Sequence, residues 1–135
     1  ATPFSLQSNW QLKFAKQFSI IKPYITKGKS DTIDKDTSKR HVDYDAYPTR
    51  SLAEVDAMMH ILRAQLTEIN TPILLINSRG DPSAPIEHAE QYSTLIPSKD
   101  LERVTLEKSG HVVTEDIERQ KVFSAALDFI NKHKK

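Results

Sequence analysis

The residues most suited to chemistry are an aspartate and a histidine in the second half of the chain. Asp81 follows an apolar predicted strand at residues 72–77, and His111 follows a second predicted strand at 101–107. A histidine titrates near neutral pH and can act as a general base. A carboxylate beside it can orient the ring and stabilise its protonated form. Either residue alone would indicate an ordinary turn, but together, each just past a strand, they predict acid–base catalysis.

Two of the three glycines of the chain lie directly before these residues. Gly80 precedes Asp81, and Gly110 precedes His111. Glycine allows a tight turn or a close approach between backbones, which a strand-to-site turn often needs. The placement of the two glycines therefore favours a functional site over two unrelated turns.

Composition excludes several classes of function. The chain has 135 residues, 38% of them hydrophobic and 27% charged, which is typical of a soluble globular domain. A net charge of +1 gives no electrostatic reason to expect nucleic acid or an anionic membrane as partner. The absence of cysteine excludes disulfides, thiol nucleophiles and thiolate metal sites, and it is compatible with the cytoplasm, where we expect the protein. No apolar stretch approaches the roughly 20 residues of a transmembrane helix.

The other titratable residues are weaker candidates. Four histidines show no metal-binding spacing, so we expect no metal and assign them to surface or helix positions: His41, His60, His88 and His133. Glu107 is the fallback for the acid if Asp81 does not serve. Glu115 and Asp116 are expected to favour the positive end of the last helix.

The first 70 residues predict helices separated by a polar segment. Trp10, Phe14, Phe18 and Ile21 fall on one helical face, with Ser8 or Asn9 as N-cap and Pro23 as the stop. Residues 27–45 carry mixed charges and few apolar groups, so we expect an exposed, mobile segment, either part of a lid or a solvated loop. Ser51 and Glu54 predict a capping box for a second helix. Its apolar face would comprise Leu52, Val55, Met59, Leu62 and Leu66, widened by Met58 and Ile61.

From residue 71 the pattern is strand, helix, strand, helix. The predicted strands are 72–77 and 101–107, and the predicted helices are 86–96 and 115–133. This alternation predicts parallel pairing with a right-handed crossover. The second strand alternates in polarity, which is typical of a strand near a sheet edge. The last helix is expected to pack through Phe123, Ala126, Leu127 and Ile130.

Two stretches resemble the α/β-hydrolase family. Pro72-Ile73-Leu74-Leu75-Ile76-Asn77-Ser78-Arg79-Gly80-Asp81-Pro82 is similar to the acid loop of these enzymes, and Ser109-Gly110-His111-Val112 followed by Glu115-Asp116 is similar to their histidine loop. The bacterial carboxylesterase and monoacylglycerol lipase group is the nearest in pattern. Tyr47-Pro48 and Ser51-Leu52 resemble the end of its helical cap. The resemblance is strong over 71–133, moderate over 44–70 and weak before that.

The resemblance implies an α/β fold, the C-terminal part of an α/β-hydrolase with a small helical cap. Residues 1–21 would follow a core strand, 22–70 would form the cap or lid, and 71–135 would complete the core. Asp81 and His111 would be the acid and base of a Ser-Asp-His triad in the family's chain order, without a cofactor. Weak candidates for an acyl pocket are Trp10, Phe14, Tyr47, Met58 and Met59.

The family's nucleophile motif, Gly-x-Ser-x-Gly, does not occur in the chain. We therefore expect the nucleophile and oxyanion hole to lie in missing sequence or in another chain, the N-terminal half of the same hydrolase. The expected substrate is a small ester or a lipid-like ester. Dehalogenase, epoxide hydrolase, carbon–carbon hydrolase or acyltransferase chemistry stays open, as does a non-catalytic binding fragment. Because two strands rarely form a stable sheet alone, we expect the isolated chain to be unstable or to aggregate.

Overall fold

The computed structural model describes residues 2–6, 14–26, 28, 32–42 and 44–134. In chain order its elements are α1 (Ala15–Ile21), β1 (Tyr24–Thr26), α2 (Lys35–Arg40), β2 (Ala46–Pro48), α3 (Thr49–Gln65), a 3-10 turn (Leu66–Glu68), β3 (Ile73–Ser78), α4 (Ile86–Leu95), β4 (Leu101–Leu106) and α5 (Arg119–His133). Over these ranges, no helix combines the length and the apolar character that crossing a membrane requires.

The elements form two compact units. The larger unit falls within Ala1–Phe4, Ser30–His41 and Leu66–Lys135, and the smaller within Ser5–Lys29 and Val42–Gln65. Residues 32–41 therefore belong to the same unit as β3 and β4. The assignment of residues 22–70 as a whole to a cap stays a prediction.

The smaller unit combines two helices with a short antiparallel strand pair. β1 and β2 pair from Tyr24↔Pro48 to Thr26↔Ala46, and α1 packs against α3. The predicted first helix is present as α1 and ends before Pro23, while Trp10 and the proposed N-caps lie outside the described residues. Its predicted face was wrong in part. Phe14 and Ile21 are 53% and 82% exposed, and the buried residue is Ala15, whose methyl group lets the helices approach closely.

Helix α3 begins three residues earlier than an N-cap at Ser51 predicts. The backbone N–H of Thr49 donates to the Pro23 carbonyl at 2.8 Å, and the Thr49 hydroxyl donates to the Lys22 carbonyl. These bonds fix the helix start to the chain after α1, so the capping box at Ser51 was a wrong prediction. Met59 and Leu66 are buried as expected, whereas Met58 and Ile61 are exposed because they lie off that stripe.

The larger unit is built on two parallel strands. β3 and β4 pair in register from Ile73↔Leu101 to Ser78↔Leu106, with α4 in the connection between them. The parallel βαβα order was predicted correctly. Leu106 lies in a core with Val113 and Val122, against which Ile76 and Val104 pack. Since both strands run the same way, the loops after their carboxyl ends leave the sheet at one edge.

Helix α5 begins at Arg119, four residues later than predicted, and residues 112–118 form turns. Its packing face also differs from the expectation. Phe123, Leu127 and Ile130 are 48%, 58% and 62% exposed, while Val122 is 5% exposed and Ala126 is half-buried. The helix is therefore rotated so that the stripe beginning at Val122 faces the core.

The polar segment at 27–45 contains a helix that the sequence analysis missed. In its described part, α2 spans Lys35–Arg40 and is capped by Asp34, whose carboxylate accepts from the Asp36 N–H at 3.1 Å. Thr37 is 3% exposed in this helix. The expectation of a loop was therefore wrong for α2, whereas the expected exposure holds for Lys35, Asp36, Lys39 and Arg40. An aspartate N-cap followed by two cations in the last turn, Lys39 and Arg40, was the available signal.

Candidate active site

Asp81 is held in the turn that follows β3. Its residue is 3% exposed, and its Oδ1 accepts hydrogen bonds from the backbone N–H groups of Ser83 at 2.8 Å and Ala84 at 2.9 Å. In this turn the aspartate side chain accepts from the backbone of the residues that follow it, and these bonds fix the side chain independently of His111. The second oxygen, Oδ2, is thereby left to face the loop after β4.

His111 meets that oxygen. Its Nδ1 lies 2.9 Å from Oδ2 of Asp81, which is a hydrogen-bond distance. Because a carboxylate oxygen only accepts, Nδ1 carries the proton and the neutral ring has its lone pair on Nε2. Within the described part of the chain, no group bonds to Nε2. The His111 side chain is 29% exposed, so this nitrogen is available to a further reactant.

The electrostatics favour an ionised Asp81. Burial raises the pKa of this carboxyl group, but the hydrogen bond from His111 and those from the Ala84 and Ser83 backbone outweigh burial and hold the pKa below its usual range. An ionised Asp81 stabilises a positive charge on the His111 ring, as a general base requires.

A close contact between the two loops explains Gly80. A Cβ atom at this position would lie 2.7 Å from the Ser109 carbonyl oxygen, closer than a real Cβ atom approaches. Ser78 reinforces the contact, since its hydroxyl donates to the Ser109 carbonyl. Gly80 therefore lets the acid loop and the histidine loop touch, and no described glycine needs a positive φ angle.

The fallback acid Glu107 points to a different partner. Its carboxylate pairs with Arg79, with 3.1 Å between Nε of Arg79 and Oε1 of Glu107, and both side chains are more than half exposed. Asp81, and not Glu107, is the carboxylate in contact with His111.

Two carboxylates before α5 have a role that the sequence analysis missed. Asp116 is fully buried, and its Oδ2 accepts from the Gly110 N–H at 2.7 Å. Glu118 accepts from the Lys108 N–H at 2.7 Å and from the Ser109 hydroxyl at 3.2 Å. Both carboxylates hold the backbone just before His111. The helix-start role predicted for Asp116 was wrong, because the helix begins three residues later.

The remaining histidines bond to other residues of the chain, away from the Asp81–His111 pair. Nδ1 of His41 lies 2.8 Å from Glu115, and Nδ1 of His88 accepts from the Phe4 N–H at 3.1 Å. His60 lies beside Arg63 on α3, and His133 bonds to Asp100. Within the described ranges, no group of three histidine, aspartate or glutamate side chains could hold a metal ion.

The described candidates for the pocket belong to the smaller unit. Trp10 lies outside the described residues. Phe14, Tyr47 and Met58 are 53%, 42% and 59% exposed, whereas Met59 is buried in the core of the unit. The acyl-pocket assignment of these five residues stays a prediction.

Comparisons with known proteins identify the architecture. No protein-family profile matches the chain. A thermostable monoacylglycerol lipase of Bacillus sp. (strain H-257) is 30% identical over 99 residues, which cover 73% of this chain and 40% of the lipase. The matched part of the chain thus covers less than half the length of this curated relative.

Solved structures agree over nearly the whole chain. A metagenome-derived lipolytic enzyme, from work on LipS and LipT, matches with a TM-score of 0.86 and 23% identity over 97% of this chain and 52% of its own. A Paleococcus ferrophilus monoacylglycerol lipase matches with a TM-score of 0.73 and 20% identity over 93% and 52%. A Saccharomyces cerevisiae monoglyceride lipase variant gives 0.71 and 17% over 91% and 49%.

These matches confirm the predicted fold and the predicted resemblance. The chain has the fold of the C-terminal part of an α/β-hydrolase and spans about half the length of the solved structures it matches. At these identities the structural likeness concerns the fold, and the roles of individual residues rest on the geometry of the site.

Proposed function

We propose that this part of an α/β-hydrolase supplies the acid and the base of a serine ester hydrolase of the carboxylesterase or monoacylglycerol lipase type. Asp81 is the acid and His111 is the base. The nucleophile and the oxyanion hole lie in sequence outside this chain or on a second chain, the N-terminal half of the same hydrolase. A cytoplasmic location is part of the same proposal.

One observation carries the assignment. The Nδ1 of His111 bonds to a buried carboxylate, and its Nε2 has no partner among the described residues. The pair also sits past the carboxyl ends of parallel strands, where active sites form in α/β folds. His133, by contrast, is bonded through both of its ring nitrogens.

The chemistry follows from this arrangement. His111 Nε2 accepts the proton of a serine hydroxyl while the serine oxygen attacks the ester carbonyl carbon. Asp81 stabilises the resulting imidazolium and keeps the ring oriented, without itself becoming protonated. His111 then returns the proton to the leaving alcohol, and the same steps with water release the acid.

The substrate class rests on the relatives. The Bacillus and Paleococcus proteins are named monoacylglycerol lipases, and a third match is described as lipolytic. These names support an ester with a fatty acyl chain as the substrate class here. Acyl-chain length is left open, since the described pocket candidates belong to a unit whose described part holds no triad residue.

The discriminating experiment is labelling with a fluorophosphonate, which forms a covalent bond to an activated serine. The native preparation is labelled with and without prior heating, and the label is located by denaturing gel and intact mass. Heat-sensitive label on a Gly-x-Ser-x-Gly serine, in extended sequence or on a companion chain, supports the proposal.

The same experiment separates the alternatives. Absence of label from an enzyme that contains both halves would contradict the serine mechanism. An aspartate at the nucleophile position would then indicate dehalogenase or epoxide hydrolase chemistry. Absence of both label and companion would favour a non-catalytic binding fragment.

A further inference from the structure

The carboxylate of Asp116 is surrounded by backbone donors. It has no solvent exposure, and its Oδ1 accepts from the Asp34 and Ile117 N–H groups at 2.9 Å each. Its Oδ2 accepts from the Ile33 N–H at 2.9 Å and the Gly110 N–H at 2.7 Å. A buried charge is costly unless it is fully hydrogen-bonded, and four donors meet that need here.

The charge state of this group is fixed by the same contacts. Burial raises the pKa of Asp116, but the hydrogen bonds from the Ile33, Gly110, Asp34 and Ile117 backbone outweigh burial and hold the pKa low. Asp116 is therefore a permanent acceptor at neutral pH. A neutral amide in its place could not accept on both sides.

Two of the four donors come from a segment that is distant from Asp116 in sequence, and a third comes from the histidine loop. Gly110 directly precedes His111, so its bond to Asp116 fixes the backbone from which the imidazole projects. Ile33 and Asp34 lead into α2, about 80 residues earlier, as the separations of 83 and 82 residues record. One carboxylate therefore holds the histidine loop and the entry to α2 at the same time.

Additional contacts strengthen the link between these segments. The Thr37 hydroxyl in α2 donates to the Glu115 carbonyl at 2.9 Å. His41, at the end of α2, pairs with the Glu115 carboxylate at 2.8 Å. The Ile33 side chain also lies against Gly80 in the acid loop, where a built Cβ would be 3.2 Å from its terminal carbon. Segment 32–41 therefore contacts both loops of the pair.

We propose that Asp116 is a positioning residue for His111, and that it couples the conformation of segment 32–41 to the orientation of the His111 ring. The proposal rests on the proposed function for its effect on turnover. It assigns a role to a segment that the sequence predicts to be either part of a lid or a solvated loop. A shift of the Gly110 backbone would move the ring relative to the nucleophile, where displacements of an ångström lower rates by about 10²-fold.

The test uses Asp116→Asn in the complete enzyme. Asparagine keeps the size but has one acceptor oxygen, so it can satisfy only one side of the link. We expect kcat per active site, counted by fluorophosphonate titration, to fall about 10- to 100-fold with KM changed less than about twofold. Hydrogen exchange should quicken together at amides 33, 34 and 110.

Two variants serve as matched comparisons. Asp128→Asn makes the same chemical change on the exposed side of α5 and should leave kcat, KM and exchange unchanged. Glu118→Gln weakens the hold on Lys108 and Ser109 without touching α2, so exchange should quicken at 108 and stay unchanged at 33 and 34. This contrast separates coupling through Asp116 from general loosening of the loop.

Thr37→Val keeps the proposal testable if Asp116→Asn does not fold. It removes the Thr37 hydroxyl contacts with the Glu115 carbonyl and the Asp34 carboxylate while preserving side-chain volume in a buried position. We expect faster exchange at 33, 34 and 110 and a smaller fall in kcat. Unchanged exchange at 110 in both variants, or in Thr37→Val alone if only it folds, would overturn the coupling. Wild-type enzyme without ester hydrolysis would instead refute the proposed function, and the exchange data would still decide the link.

Discussion

In the described part of the chain, a histidine–aspartate pair lies at each end of β4. His111 bonds to Asp81 past the carboxyl end of the strand, at 2.9 Å, and His133 bonds to Asp100 just before its amino end, at 2.6 Å. By residue type and distance the two pairs are alike. The ring nitrogens of the two histidines differ in their hydrogen bonding, and this difference indicates which histidine can act as a base.

His133 has both nitrogens engaged. Its Nε2 faces Asp100, and its Nδ1 faces the Phe129 carbonyl oxygen at 2.8 Å, so a doubly protonated ring satisfies both acceptors. His111 engages only Nδ1 within the described part of the chain. A histidine with both nitrogens occupied holds α5 against β4, whereas one with a free Nε2 can take a proton from a nucleophile.

The two carboxylates also differ. The Asp81 side chain is fully buried and, among the described residues, bonds to His111 and to two backbone N–H groups, while the Asp100 side chain is 40% exposed and also bonds to Lys132 at 3.0 Å. Solvent and Lys132 already balance the charge of Asp100. The charge of Asp81 is directed to His111, as a base in an acyl-transfer site requires.

Asp81→Asn should have the largest effect on activity of the substitutions considered for the two pairs. An amide in this position can bond to the other tautomer of His111, leaving a proton on Nε2 where the lone pair is needed. We expect kcat of the complete enzyme to fall by about 10⁴-fold while the fold is retained, the size of loss that this change causes in serine-protease triads. Steady-state ester hydrolysis measures it, and a loss below about tenfold would contradict Asp81 as the acid.

Glu107→Gln makes the same chemical change at the fallback acid, so its effect on kcat can be compared directly with that of Asp81→Asn. Glu107 pairs with Arg79 at the surface, and exposed ion pairs of this kind contribute about 0–1 kcal/mol. We expect kcat within about twofold of wild type and little change in thermal midpoint. A loss as large as that of Asp81→Asn would move the acid role to Glu107.

His133→Gln tests the structural pair through pH. The hydrogen bond that His133 donates to Asp100 raises the pKa of His133, so the stabilisation from this bond is present below the unfolded pKa of about 6.5 and is lost as pH rises through the higher folded value. The bond to His133 lowers the pKa of Asp100, so its contribution is lost as pH falls through that lowered value.

The stability gap between wild type and His133→Gln should therefore be widest near pH 5 to 6 and narrow above neutrality, with activity little changed. Thermal midpoints of the complete enzyme measured from about pH 4 to 9 check this. A gap of constant width would show that His133 stabilises α5 by packing alone.

The sequence allowed the site pair to be predicted because its signals are local. An apolar strand followed by Gly80-Asp81, and an alternating strand followed by Gly110-His111, each lie within about ten residues. Parallel pairing then brings the two loops to one edge. The fold class followed from the same βαβα pattern, which the structure confirms.

The missed features depend on contacts between distant segments. Asp116 resembles a helix-start residue in sequence, but its partners at 33 and 34 lie more than 80 residues away. The rotation of α5 depends on which stripe meets Leu106, and both the Val122 and Phe123 stripes are apolar. Helix α2 is short and polar, so its stability comes from Asp34 and Thr37 contacts and not from hydrophobic periodicity.

The most direct test of the central claim compares His111→Ala with His133→Ala in the complete enzyme. The measured quantity is the rate of fluorophosphonate labelling per folded protein, which reports how strongly the nucleophile is activated. We expect labelling to fall by at least about 10³-fold in His111→Ala and by less than about twofold in His133→Ala. Equal labelling rates in the two variants would contradict the assignment of His111 as the base.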